Sequence, residues 1–283
     1  MPRCVKIRNL GRDGISAMAI SAIDVALWDT VAKLAGVSVA VMLGMVRERV
    51  PVYGSGGFTS YSIETLQRQL AGWVDAGIPN VKMKVGRDPA ADAARVYAAR
   101  SAIGEGAELF VDANGAYVRK QALAMGEMFA GARVSWFEEP VYHGDFEGLR
   151  LLRDHAPASM EISAGEYGYD PQWFRGLLAS GAVDVLQADA TRCGGFTGFL
   201  VADSLCESWM LPLSSHCAPT LHVHVAAAAK RLRHIEYFHD HVRIERMFFE
   251  GFREPVDGCL APDLERPGIG LDFKRADAQK YAI

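Results

Sequence analysis

Cysteine is scarce in this chain of 283 residues and poorly placed for a structural role. Cys4, Cys193, Cys206, Cys217 and Cys259 are odd in number, widely spaced and without a CxxC pair. That argues against a disulfide framework or a cysteine-built zinc site and fits a reducing compartment, so a cytoplasmic location is expected. An excess of positive charge is missing too. Lys and Arg number 30 against 34 Asp and Glu, a formal net charge of −4, which offers no basic field for a nucleic-acid backbone. No stretch approaches the roughly 18 consecutive apolar residues of a membrane span, and the first residues lack the charged start and apolar run of a signal peptide. Neither a nucleic acid nor a membrane is therefore expected as a partner. Half the residues are hydrophobic and 23% are charged, so wholesale disorder is excluded as well. What is present is a length close to that of one (β/α)8 barrel, or of two ordinary domains.

The first strong periodic segment covers 16–35, where Met18, Ile20, Ile23, Ala26, Leu27, Val31 and Leu34 recur at helical spacing and Gly36 stands where a C-cap glycine belongs. A short second helix is predicted at 39–43, with Ser38 as its N-cap and Gly44 at its end. From Val50 the pattern changes to short apolar runs alternating with helical stretches. Strands are predicted at 52–55, 81–84, 109–112, 135–138, 161–164, 183–188, 211–214 and 234–237. Helices are predicted between them, including 62–76, 90–103, 120–129, 171–179, 198–209 and 221–232. Eight strands joined by helical crossovers most simply close into a parallel barrel, with a doubly wound open sheet as the competing arrangement. The tail from Glu254 is rich in Pro and Gly and reads as an extended strap.

Charged residues fall at particular places in this alternation. Lys82 and Lys84 close the second strand, Asp112 the third and Glu138 the fourth; Glu166 follows the fifth, Asp189 the sixth and His216 the seventh, and Glu236 lies in the eighth. In a barrel all would converge on the C-terminal mouth, where such enzymes keep their active sites. Three carboxylates on adjacent strands, Asp112, Glu138 and Glu166, would repel one another unless a cation lay between them, and an all-oxygen set suits Mg²⁺. Lys82 and Lys84 share one strand face, and their mutual repulsion and desolvation are expected to depress both pKa values toward the range of a working base. Asp189 and His216 end neighbouring strands and would form a carboxylate–imidazole dyad. A base, a cation and a second proton-transfer group fit removal of a proton from carbon beside a carboxylate.

Several stretches carry a resemblance: Val81-Lys82-Met83-Lys84-Val85, Val111-Asp112-Ala113-Asn114-Gly115, Trp136-Phe137-Glu138-Glu139-Pro140, Ala164-Gly165-Glu166, Asp189-Ala190-Thr191-Arg192-Cys193-Gly194-Gly195, Ser214-Ser215-His216 and His234-Ile235-Glu236. In this order they make the sequence resemble the enolase superfamily, and within it the mandelate racemase-like subgroup of the mandelate racemase/muconate lactonizing enzymes. The resemblance implies a (β/α)7β barrel with an α+β capping domain, of which only the late helices match here. It divides the chain into a cap remnant at 1–49, a barrel at 50–250 and a strap at 251–283. It implies Mg²⁺ held by Asp112, Glu138 and Glu166, with Glu138 rather than Glu139 facing inward, and Lys84 as base with Lys82 supporting the substrate carboxylate. His216 with Asp189 would be the second acid/base and Glu236 a hydrogen-bonding electrophile. The muconate-cycloisomerizing group carries a lysine after the sixth strand, where this chain has Asp189.

The expected reaction is dehydration of a sugar acid, with racemisation or epimerisation of a 2-hydroxy acid as the close alternative. A catalytically impaired paralogue acting as an interaction protein is the alternative of another class. A zinc amidohydrolase would need histidines at the first strand end, and 53–57 contains none. The expected substrate is a small carboxylate, a sugar acid or hydroxy acid. A partly uncovered apolar face on the 16–35 helix would favour a homo-oligomer.

Plainer readings compete at single positions. An isolated Asp or Glu at a strand end is commonly a helix cap, and Asn114 either orients a metal ligand or caps the next helix. His222 and His224, two apart on a helix, face different directions and read as structural. His239 and His241 read as loop residues. The glycines of Gly54-Ser55-Gly56-Gly57 read as close backbone packing, since Thr59 stands where GxGxxG needs its last glycine.

Overall fold

The computed structural model describes residues 9 and 11–282, so Cys4 lies outside them. Eight parallel strands run in chain order: β1 (Val50–Gly56), β2 (Asn80–Lys84), β3 (Glu108–Asp112), β4 (Val134–Glu138), β5 (Glu161–Ala164), β6 (Val185–Ala188), β7 (Leu213–Ser215) and β8 (Leu232–Phe238). β1 pairs with both β2 and β8, which closes the sheet. The barrel, rather than the open sheet, is what these strands form. Helices at Ile63–Asp75, Pro89–Ile103, Arg119–Gly131, Phe146–His155, Pro171–Ala179, Gly195–Trp209 and Pro219–Ala228 fill the crossovers. Several are started by side chains that satisfy an orphan N–H: Ser62 accepts from the Thr65 N–H and Asp170 from the Trp173 N–H.

The helix predicted at 221–232 ends at Ala228, because β8 already begins at Leu232. His239 and His241, expected in a loop, open a further helix, His239–Phe248, that packs on β1 and β8. A buried layer of Tyr53, Phe110 and Trp136 crosses the barrel interior, with Phe110 and Trp136 stacked 5.3 Å apart. It forms a packed aromatic floor beneath the mouth.

The tail is a strap that also pairs. Cys259–Leu260 adds to β1 antiparallel, and Asp272–Phe273 pairs with Phe249–Glu250. The Ile269 N–H donates to Asp29 (2.8 Å) and His224 Nε2–H to the Ile269 carbonyl (2.9 Å), so the strap joins the N-terminal helix to the barrel.

That helix, Ile15–Ala35, has the partly uncovered apolar face expected of it. Its buried side is Ala17, Ser21, Val25 and Ala32, while Met18, Ile23, Leu27, Val31 and Leu34 of the apolar face are exposed. Polar docking wins over apolar periodicity. Ser21 accepts from the Gly194 N–H (2.9 Å) and Asp24 from the Thr197 hydroxyl (2.7 Å), and Trp28 donates to Thr197 (3.0 Å). The helix is also long and apolar enough, by length and composition alone, to cross a membrane, although no unbroken apolar run of that length occurs in it. Asp24 and Asp29, both bonded to other parts of the fold, mark it as a helix docked on the barrel.

His224 carries a stability prediction. Burial pushes its pKa down to about 4, since a second ring proton would sit on Nδ1, which has no partner. A histidine depressed in the folded state contributes fully above its unfolded pKa, about 6.5, and its contribution is lost as pH falls toward the folded value. Lowering the pH from 7 to 5 should therefore cost about 2 kcal/mol through this residue. Urea melts of wild type and His224→Gln test this, and equal pH slopes for the two would refute it.

Candidate active site

The register sets the site. Lys84 pairs with Asp112 and Asp112 with Glu138 across β2, β3 and β4, so their side chains stand side by side at the C-terminal mouth. Glu166 arrives through Gly165, whose φ of +143° and contact with the Gln187 carbonyl, 2.0 Å from where a Cβ would be, admit only glycine. Asp189 and His216 follow β6 and β7, and Glu236 lies within β8. All eight residues singled out by sequence thus meet at one end of the barrel.

Asp112, Glu138 and Glu166 each place a carboxylate oxygen within 4.8 Å of the others, all buried. Glu138 Oε1 has no hydrogen-bond partner there. Burial and the neighbouring Asp112 charge push the Glu138 pKa up to about 8. A buried oxygen-only trio with an orphaned lone pair fits a hard divalent cation. The Asn114 N–H donates to Asp112 Oδ1 (2.8 Å) and fixes that ligand's rotamer. Asn114 caps no helix, since the next begins at Arg119.

Both lysines depart from expectation. Lys82 Nζ is wholly buried, 2.6 Å from Glu138, 2.8 Å from Glu236 and 3.7 Å from Asp112. Lys84 is paired with Asp112. Burial alone would lower both pKa values, and Lys82 adds repulsion at Lys84, but the surrounding carboxylates outweigh these effects and both pKa values are raised. Each ammonium meets more negative than positive charge.

Opposite them, His216 Nδ1–H donates to Asp189 Oδ2 (2.7 Å), while Nε2 lies 3.1 Å from Glu166 Oε2. Burial opposes the imidazolium, yet the Cys217 sulfur and the Glu166 and Asp189 carboxylates hold its pKa well above the ordinary value. Asp189, despite burial, is held at about 2 by the His216 bond and by Thr191, whose N–H and hydroxyl both donate to Oδ1. Glu236 accepts from Ser55 (2.6 Å), the Cys217 N–H (2.7 Å) and Lys82. Burial is again overcome, here first by Lys82, and its pKa falls well below the usual range. These bonds favour the ionised carboxylate, whereas an electrophile must donate a proton.

Sequence reasoning missed several neighbours. The resemblance implies that Glu138 rather than Glu139 faces inward, and β4 ends at Glu138. Glu139, at φ +38°, turns its carboxyl into a buried position where burial and then Glu166 raise its pKa. The Glu-Glu-Pro doublet was the available signal. Arg192 donates to the Glu166 carbonyl (3.0 Å) and lies over the Tyr167 ring; its place within the Asp189 stretch was a hint. Ser55 had no signal beyond its strand end.

The histidine pair is structural: His222 Nε2 accepts from the Ala190 N–H (2.8 Å) and His224 binds the strap. His241 Nδ1 likewise accepts from the Ala218 N–H (3.0 Å). At Gly54 a Cβ would meet the Trp73 ring at 2.4 Å, the close packing expected of that glycine run.

Residues 65–278 match the enolase C-terminal domain-like family, and residues 3–44 match the mandelate racemase/muconate lactonizing enzyme N-terminal domain. The chain belongs to the enolase superfamily. Within that superfamily it is 35% identical, over 81% of its length, to the L-talarate/galactarate dehydratase of Salmonella typhimurium, and the match spans 58% of that protein. A mandelate racemase/muconate lactonizing enzyme-like protein from Rubrobacter xylanophilus superposes with TM-score 0.95 at 55% identity, over 98% of this chain and 77% of that one. An L-talarate dehydratase from Polaromonas sp. JS666, solved with Mg and L-glucarate, superposes with TM-score 0.88 at 36% identity, covering 98% and 76%.

Proposed function

We propose that this enolase-superfamily chain removes the α-proton of a small carboxylate with the help of Mg²⁺, and that its reaction is dehydration of a sugar acid. The observation that carries the reading is the placement of Lys84 and His216 on opposite sides of the buried trio Asp112, Glu138 and Glu166. The dehydratases it resembles, one of them solved with Mg and L-glucarate, support the substrate class.

Asp112, Glu138 and Glu166 would hold the cation, which when bound offsets the charge that develops on the substrate carboxylate as it becomes an enediolate. Added positive charge beside Lys84 also works to lower its pKa, against the pull of Asp112. Lys84, as the free amine, takes the α-proton. Lys82, buried and held by Glu138 and Glu236, keeps a fixed positive charge beside the substrate carboxylate. On the far side the His216 imidazolium, supported by Asp189, gives its proton to the β-hydroxyl as the C–O bond breaks. Water leaves, and the enol product tautomerises to a 2-keto acid. Glu236, ionised and bonded to Lys82 and Ser55, holds that side of the site in place.

The same opposed pair favours one alternative, exchange of a proton between two faces of the enediolate, which is racemisation or epimerisation. Incubation with a panel of sugar acids in D₂O separates the two. Dehydration predicts 2-keto acid carrying deuterium at C3. Deuterium at the α-carbon without keto acid would overturn dehydration, and tight Mg²⁺ binding without turnover on any acid would favour the interaction-protein reading.

A further inference from the structure

We propose that His216, Cys217 and Glu236 form a second cation site, distinct from the carboxylate trio, which takes a thiophilic divalent ion of the Zn²⁺ class. All three residues are buried, and one ligand atom from each lies within 4.8 Å of the others. His216 Nε2 is 3.3 Å from Cys217 Sγ and 3.9 Å from Glu236 Oε2, and a bound ion would replace its present 3.1 Å contact with Glu166 Oε2. A tetrahedral zinc ion with bonds of about 2.0 Å to nitrogen and 2.3 Å to sulfur needs a separation of about 3.5 Å between those two atoms. The observed spacing suits such an ion, and three protein ligands leave one position open.

The ligands are held for this purpose by independent contacts. His216 Nδ1–H donates to Asp189 Oδ2, which leaves Nε2 as the nitrogen that ligates once its own proton is lost, the carboxylate–histidine arrangement that backs metal-bound imidazoles. Cys217 and Ala218 are consecutive non-glycine residues in the left-handed region, φ +53° and +39°. Strain of this kind persists only where surrounding structure enforces it, and here it sets the sulfur against the imidazole. Glu236 Oε2 accepts one bond, from the Cys217 N–H (2.7 Å), and a carboxylate oxygen has a second lone pair to offer. Sulfur makes this set soft where the trio is hard, so the two sites sort ions by chemistry. On ligation the Nε2 proton of the His216 imidazolium and the Cys217 thiol proton both leave to solvent, and the sulfur binds as thiolate.

The ion would occupy the nitrogen through which His216 is proposed to transfer its proton, so Zn²⁺ would inhibit. Only that consequence rests on the function proposed above.

Titration of Co²⁺ into the full chain in excess Mg²⁺ tests the site. One equivalent should produce a near-ultraviolet thiolate-to-cobalt charge-transfer band with intense tetrahedral visible bands, and Zn²⁺ should displace it. Cys217→Ser should lose the band and bind Zn²⁺ at least roughly 10–100-fold more weakly. His216→Asn, which keeps the thiol, should weaken Zn²⁺ similarly, and it decides the matter if the cysteine variant fails to fold. Weak octahedral bands alone, as an oxygen-only site would give, overturn the proposal. So does a charge-transfer band unchanged in either variant. A band accompanied by full turnover in Zn²⁺ would support the site and refute the assignment of His216 as the acid.

Discussion

Replacing Lys84 by Met is expected to lower the rate of α-proton exchange on the preferred sugar acid by roughly 10²–10⁴-fold, the usual worth of a positioned acid–base group. The size follows from the lack of a substitute. Lys82, the nearest other amine, is wholly buried and locked between Glu138 and Glu236, whereas Lys84 is partly accessible at the mouth. Isotope exchange monitored by NMR reads this step directly. Methionine preserves the length and apolar stem of the side chain and removes only the amine, so the Mg²⁺-dependent rise in melting temperature should survive. Exchange at the wild-type rate in Lys84→Met would remove Lys84 as the base. Loss of both exchange and the Mg²⁺ response would instead mark it as a structural partner of Asp112.

The second large effect concerns the carboxylate trio. Three buried acids within 4.8 Å are mutually repulsive, and burial together with the Asp112 charge raises the Glu138 pKa. Mg²⁺ at 100 times its Kd should stabilise the fold by about 2.7 kcal/mol, which for a chain of this length is on the order of 5 °C in melting temperature. Asp112→Asn should abolish that shift, because it removes a ligand that the Asn114 N–H holds in position. Calorimetry with and without chelator gives the answer. An equal Mg²⁺ shift in Asp112→Asn would place the cation elsewhere.

Much of this was legible before any coordinates. Strand ends recur once per strand–helix unit, and a parallel barrel puts every such end on one rim, so Lys84, Asp112, Glu138, Asp189 and His216 could be gathered from spacing alone. Element limits near Lys84, Asp112, Glu138 and Ala164 agree to the residue, because the apolar run stops there against a charge or a glycine. Ala228 and Leu232 show where that signal fails: the helix predicted at 221–232 runs up to Leu232, where the strand has already begun.

The chain's order of types therefore determined the fold class, the rim on which chemistry is assembled, and the hard-oxygen character of the trio, since these depend on local periodicity and on which residue follows which. Tertiary structure alone decided the rest. Whether Lys82 and Lys84 are raised or depressed depends on how many carboxylates surround each ammonium in space, a sum over residues distant in sequence. Which side of Ile15–Ala35 is buried was settled by Ser21, Asp24 and Trp28 meeting Gly194 and Thr197, and the contact between Cys217 and His216 by two left-handed residues. Charge states and close contacts are set by through-space neighbours, which no pattern along the chain records.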